Sequence, residues 1–188
     1  TRLSRGLGDV YKRQTLDSDE EIILDQNILA DGKDYFAVGG WSVSPNNEWL
    51  AYSTDYVSRR IYTVHFKNLL TGETIQNAIS NSSGSVAWAN DNRTVFYTSK
   101  NDVTLLSEKI WRHKLGSDSK SDEMVYHEKD DTFYNGVYRS KSGDYIIIYN
   151  QSTLVSDFHI LNADKPDGDF VNFSPREKEH EYSIDHYQ

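Results

Sequence analysis

No cysteine occurs among the 188 residues, and there are only three prolines and one methionine. The first absence removes disulfides, a thiol nucleophile, zinc knuckles and iron–sulfur ligation together. It says little about compartment, because an oxidising environment permits disulfides without requiring them. No apolar run approaches the ~18 residues of a membrane-crossing helix, so no membrane partner is expected. Basic residues are outnumbered, 20 Lys and Arg against 29 Asp and Glu, for a net charge of −9. A nucleic-acid binder needs a net cationic face to displace counterions, so no nucleic-acid partner is expected either. What is abundant is aromatic: 13 Tyr, 7 Phe and 4 Trp, within a hydrophobic fraction of 37%. Such a chain can bury a core, as one domain or as part of a larger one.

Residues 1–14 differ in character from the rest. They carry Arg2, Arg5, Lys12 and Arg13 against Asp9 alone, with no strand alternation and only a weak helical stripe of Leu3, Leu7 and Val10. The ~7–15-residue apolar stretch of a signal peptide is missing. This leader is expected to be non-native or disordered and to lie outside the fold, which is assigned to residues 15–188.

From residue 20 onward, short aromatic and β-branched runs alternate with turn residues, the pattern of an all-β protein. Three units align: Trp41 to Tyr52, Val86 to Tyr97 and Val137 to Ile148. Each is a short strand, a polar turn and a stronger apolar strand. Gly40, Gly84 and Gly136 precede them, at intervals of 44 and 52 residues. Third strands follow at Ile61–Phe66, Ile110–Leu115 and Phe158–Leu161, and fourth strands near Thr74–Ile75, Glu123–His127 and Phe170–Phe173. Four strands per ~45–50 residues is the period of a β-propeller blade. The reading is three complete blades, a partial one at Glu20–Leu24, and a further first strand at Glu181–Tyr187. No helix of ordinary length is predicted.

The second strand of each unit carries the physical argument. Trp49–Tyr52, Val95–Tyr97 and Tyr145–Tyr149 are nearly continuous apolar runs, as expected of a strand covered on both faces. Stacked blades supply that cover. Alternation returns in the third strand, with Tyr62, Val64 and Phe66 set against Thr63 and His65.

Catalytic signatures are missing. Gly40-Trp41-Ser42-Val43-Ser44 lacks the second glycine of G-x-S-x-G, and Ser42 falls on a repeated strand. The six histidines (His65, His113, His127, His159, His180 and His186) form no H-E-x-x-H, and at least five are expected on outer strands or turns. Asp164 to Asp169 lacks the ligand spacing of a calcium loop and is expected to be a turn. The carboxylates of Glu128-Lys129-Asp130-Asp131 are neighbours in one loop, so a solvated turn is expected there rather than a glycosidase pair facing across a gap. Asn-x-Ser/Thr occurs at Asn81, Asn92, Asn150 and Asn172. No phosphate-cradling glycine loop is present. No catalytic, cofactor-binding or metal-binding residue is assigned, and no cofactor is expected.

One resemblance is more specific. Gly39 to Glu73, with Ser58-Arg59-Arg60 and Leu69-Leu70-Thr71-Gly72-Glu73, resembles the propeller of oligopeptidase B-like members of the prolyl oligopeptidase family of serine peptidases. So do Val86 to Asn92, Val103 to Leu106, Ile110 to His113, Glu128 to Tyr134, Pro175 to Lys178 and His180 to Gln188. Ser107 departs from the pattern, standing where a proline follows the paired leucines. The resemblance implies a seven-bladed propeller joined, in a longer parent, to an α/β-hydrolase domain carrying a Ser-His-Asp triad. It implies cleavage of short peptides after Arg or Lys, with the propeller gating access and not itself catalytic. The expected partners are that hydrolase domain of the same parent chain and short basic peptides; the expected location is cytoplasmic. The alternative is a stand-alone interaction propeller, although no Trp-Asp or Gly-His pair marks the units; a propeller glycosidase is a third reading.

Overall fold

The computed structural model describes residues 8–13 and 15–187. Thirteen strands are present among them, every pairing antiparallel. β1 (Asp9–Lys12) pairs with β2 (Glu21–Asp25). The first blade holds β3 (Ala37–Val43), β4 (Trp49–Asp55) and β5 (Tyr62–Asn68). β6 (Ile79–Trp88), β7 (Thr94–Lys100), β8 (Ser107–Lys114) and β9 (Glu123–His127) follow, and β10 (Tyr134–Arg139), β11 (Tyr145–Gln151), β12 (Ser156–Asn162) and β13 (Val171–Asn172) make the third blade. The one α-helix among the described residues, α1 (Gln26–Ala30), has five residues and is capped by Asp25, whose side chain accepts from the amides of Asn27 and Ile28.

The blades stack as the continuous apolar runs require. On β4, Leu50 and Tyr52 face a cluster with Val10, Ile23 and Leu24, while Ala51 faces Trp88, Val95 and Tyr97 of the next blade. On β7, Val95 and Tyr97 pack back onto the first blade and Phe96 packs forward against Val137, Ile146 and Ile148. Odd and even positions of one strand thus serve different neighbours, which is why both must be apolar. Each such buried side chain contributes about 1.5–3 kcal/mol that a lone blade could not realise.

The first and second blades are not separate sheets. Lys67 bridges Thr74, Val64 pairs with Ile79 and Tyr62 with Ser82, so the fourth strand continues beyond Thr74–Ile75 into the front half of β6. The rear half of the same strand, Val86–Trp88, is the first strand of the second blade and pairs with β7. Ser82 pairs on both sides, with Tyr62 and with Ser99, and the register of the β7 pairing shifts between it and Val86, around Gly84, whose φ of +105° suits glycine. A Cβ on Gly40 would lie 3.0 Å from the Gly84 carbonyl oxygen, so the repeated glycines mark where inner strands crowd together.

Three expectations need correction. Asp9–Lys12 is not outside the fold, because Val10 is buried beside Ile23 and Leu24; residues 1–7 and 14 lie outside the described residues. Phe170–Phe173 reduces to the two-residue β13. Glu181–Tyr187 forms no strand, since among the described residues it gains hydrogen bonds to the third blade without a ladder partner of its own.

Candidate functional site

Two features built by more than one blade bear on function. The first is a cleft of about 470 Å³ along the inner strands, lined by Trp41, Ser42, Ser85, Tyr138, Arg139 and Tyr149 among others. Burial and the nearby Asp185 carboxylate push the Tyr138 hydroxyl up to about 12, and it donates to the Ile184 carbonyl at 2.5 Å. Arg139 is held by Asn90 Oδ1 and, at 3.0 Å, by the Gly143 carbonyl. The cleft therefore offers aromatic faces and hydroxyls, with its one cation already engaged.

The second is an ionic node between the second and third blades. Arg176 donates from Nε to Asp157 Oδ2 and from Nη2 to Glu128 Oε2, each at 2.5 Å, and its guanidinium lies 3.8 Å from the centre of the Phe133 ring. Tyr126 donates to Glu128 Oε2 at 3.1 Å, and Asn150 Nδ2 donates both to Tyr126 Oη and to Asp157 Oδ1. Burial pushes the Glu128 carboxyl up, but bonds from Arg176, the Asp130 amide and Tyr126 outweigh it and hold the group below its ordinary value. Burial, outweighing the neighbouring carboxylates, pushes His159 down. The solvated-turn expectation thus holds for exposed Asp130 and Asp131 and fails for Glu128, which is buried. The sequence places Arg176 only in the Pro175–Lys178 stretch of the family resemblance, and its separation of 48 residues from Glu128 leaves no local signal for their pairing.

The other singled-out residues disperse. Ser42 offers its carbonyl to Trp88 Nε1 at 3.1 Å, and among the described residues it makes no hydrogen bond to a histidine. A nucleophile triad needs its hydroxyl and its carboxylate on opposite ring nitrogens. Around His186, Ser142 Oγ (2.8 Å) and Asp144 Oδ2 (3.4 Å) both meet Nδ1, the wrong arrangement. His65 Nε2 meets Thr54 Oγ1 at 2.9 Å, and burial pushes this imidazole down. His113 is fully buried, paired through Nδ1 with Asp122 at 2.8 Å and stacked on Phe66. His127 lies in β9, and His180 and His186 lie in the segment after β13. Among the described residues, no three His, Asp or Glu side chains are grouped to hold a metal. Asp164 accepts from Asn90, and Asp167 meets Lys114 at 3.1 Å, both in the turn after β12. Asn150 is fully buried in the ionic node, so its sequon is closed in this fold, whereas Asn172 is exposed.

A family model described as the N-terminal β-propeller domain of prolyl oligopeptidase matches residues 8–188. The chain belongs to the prolyl oligopeptidase family. It is 42% identical over 167 residues to dipeptidyl aminopeptidase BI of Pseudoxanthomonas mexicana, covering 89% of this chain and 23% of that protein. It is 33% identical over 174 residues to Protease 2 of Moraxella lacunata, covering 92% and 25%. Oligopeptidase B of Leishmania major superposes with a TM-score of 0.84 at 28% identity, covering 93% of this chain and 25% of that one. Oligopeptidase B of Trypanosoma brucei gives 0.81 at 31% identity, covering 94% and 24%. The chain spans about a quarter of the length of these relatives. It is propeller of a prolyl oligopeptidase-family peptidase, and the match to residues 8–13 agrees with the burial of Val10.

Proposed function

We propose that this chain walls and gates the approach to an α/β-hydrolase domain of the same parent, which cleaves short peptides after Arg or Lys. There a serine attacks the peptide carbonyl, a histidine carries the proton and an aspartate orients the histidine. The supporting observation is a propeller match over residues 8–188 in a chain covering a quarter of its peptidase relatives. The propeller's own role is steric, because the hydroxyl–imidazole contacts described above lack triad geometry. The net charge of −9 favours approach of cationic peptides.

A second reading rests on the 42% identity to dipeptidyl aminopeptidase BI: removal of dipeptides from a free amino terminus. One assay separates the two. The full-length parent is given an amino-blocked arginine ester and a dipeptide amide with a free amino terminus. Turnover of the blocked ester, abolished by a serine-reactive inhibitor, supports the first reading; turnover of the free dipeptide amide alone supports the second. Residues 1–188 by themselves should turn over neither.

A further inference from the structure

Asparagine is costly to bury, because its amide carries both donors and an acceptor that need partners away from bulk water. The third blade buries two, Asn135 on β10 and Asn150 on β11, at 3% and 0% exposure. They stand opposite each other in the β10–β11 ladder, and Asn150 stands opposite Asp157 in the β11–β12 ladder. Residues directly opposite one another share a face of the sheet. The three therefore form one polar row across the blade, from its inner strand to its third. Val137 and Ile148, two positions along from Asn135 and Asn150, pack with Phe96 and Ile110, so the row looks toward the second blade.

One end of this row is satisfied. Asn150 Nδ2 donates to Asp157 Oδ1 at 2.7 Å and to Tyr126 Oη at 2.9 Å. A carboxylate oxygen only accepts, so Asp157 fixes which end of the Asn150 amide faces it. Among the described residues, Asn150 Oδ1 then finds no donor, and Asn135 has no partner at either Oδ1 or Nδ2. Exchanging the two ends of the Asn135 amide would change nothing, since both are unpaired. Cβ atoms of opposite residues lie about 4.5–5.5 Å apart, which puts these open groups within reach of one small bridging molecule.

We propose that buried water is bound between Asn135 and Asn150 and carries the hydrogen bonding of the ionic node through to the inner strand. The open groups select the ligand. A metal cation would serve the oxygens and confront the Nδ2 hydrogens; an anion would serve Nδ2 and confront the oxygens. Water does both, accepting from Asn135 Nδ2 while donating to Asn150 Oδ1. Sites of this kind, polar and closed, are where globular proteins hold internal water. The bonded chain then runs from Asn135 through water to Asn150, Asp157 and Arg176. It also backs the wall of the inner cleft, because Tyr138 and Arg139 follow Asn135 on the same strand. The site is independent of the reaction proposed above.

Two measurements on the full-length parent test it. In its crystal structure, ordered solvent should lie within hydrogen-bonding distance of the Asn135 amide and of Asn150 Oδ1. In thermal melts, Asn135→Leu keeps the shape and removes the amide, and it should lower the melting temperature because Asn150 Oδ1 loses its hydrated partner. A dry site behaves in the opposite way: exchanging an unpaired polar group for an apolar one of the same shape is neutral or stabilising. No solvent at the site, a direct bond between the two amides, or a variant that melts at or above the natural protein overturns the proposal. If the variant does not fold, the density of the natural protein decides alone.

Discussion

Arg176 and Asp157 meet at 2.5 Å from different stretches of the third blade, one guanidinium nitrogen on a carboxylate that is almost wholly buried. The same guanidinium reaches Glu128, at the exit of the second blade, so one side chain ties two blades together. Burial costs a charge heavily unless it is paired, and here two carboxylates depend on one cation. Arg176→Leu should therefore destabilise the second and third blades by about 3 kcal/mol. Faster hydrogen exchange in β9–β12 of the full-length parent, with β4 unchanged, is the expected readout; uniform exchange would argue against a local tie.

The node also sets a pH dependence. Glu128 is held below its ordinary value, so its stabilisation is complete above the unfolded-chain glutamate value of ~4.3 and fades as pH falls through the lower folded value. In Arg176→Leu the Glu128 carboxylate loses its cation while its burial still favours the protonated form, so acidification should no longer destabilise through this group. Thermal melts between pH 3 and pH 7 check the sign: a loss on acidification in the natural protein, a gain or no change in the variant.

Trp88 spans the first blade boundary, packing edge-on to Phe66 and donating to the Ser42 carbonyl. Trp88→Phe keeps most of the packing and removes the donor, for an expected loss of about 1 kcal/mol. Trp88→Ala leaves a cavity as well, for about 3–5 kcal/mol. Denaturant midpoints of the two variants should be well separated; equal midpoints would mean that this boundary is not tightly packed.

Gly84 bends the strand shared by two blades. A Cβ there would sit 2.9 Å from the Tyr62 ring and 3.2 Å from Ser53 Oγ, on a backbone with φ of +105°. Gly84→Ala should cost about 2 kcal/mol. Gly72, also at positive φ but with nothing within 4 Å of its Cβ, should cost less on the same substitution, and a ranking of melting temperatures decides.

Ser42→Ala and His186→Ala should each leave kcat of the full-length parent within about twofold, because neither side chain has the contacts of a nucleophile or base. A thousandfold loss in either would place chemistry on the propeller.

The chain by itself determined the four-strand period, the polar turns and the apolar second strands, because these are local patterns enforced on every unit by the same stacking. Trp49–Tyr52, Val95–Tyr97 and Tyr145–Tyr149 needed no partner in view to show that both faces are dry. Only the tertiary structure decided that Glu128 turns inward to Arg176, that His113 is sealed against Phe66, and that Val10 belongs to the core. Those outcomes depend on which distant segment arrives opposite a given side chain, and that is settled by how the blades stack, over separations such as the 48 residues between Glu128 and Arg176.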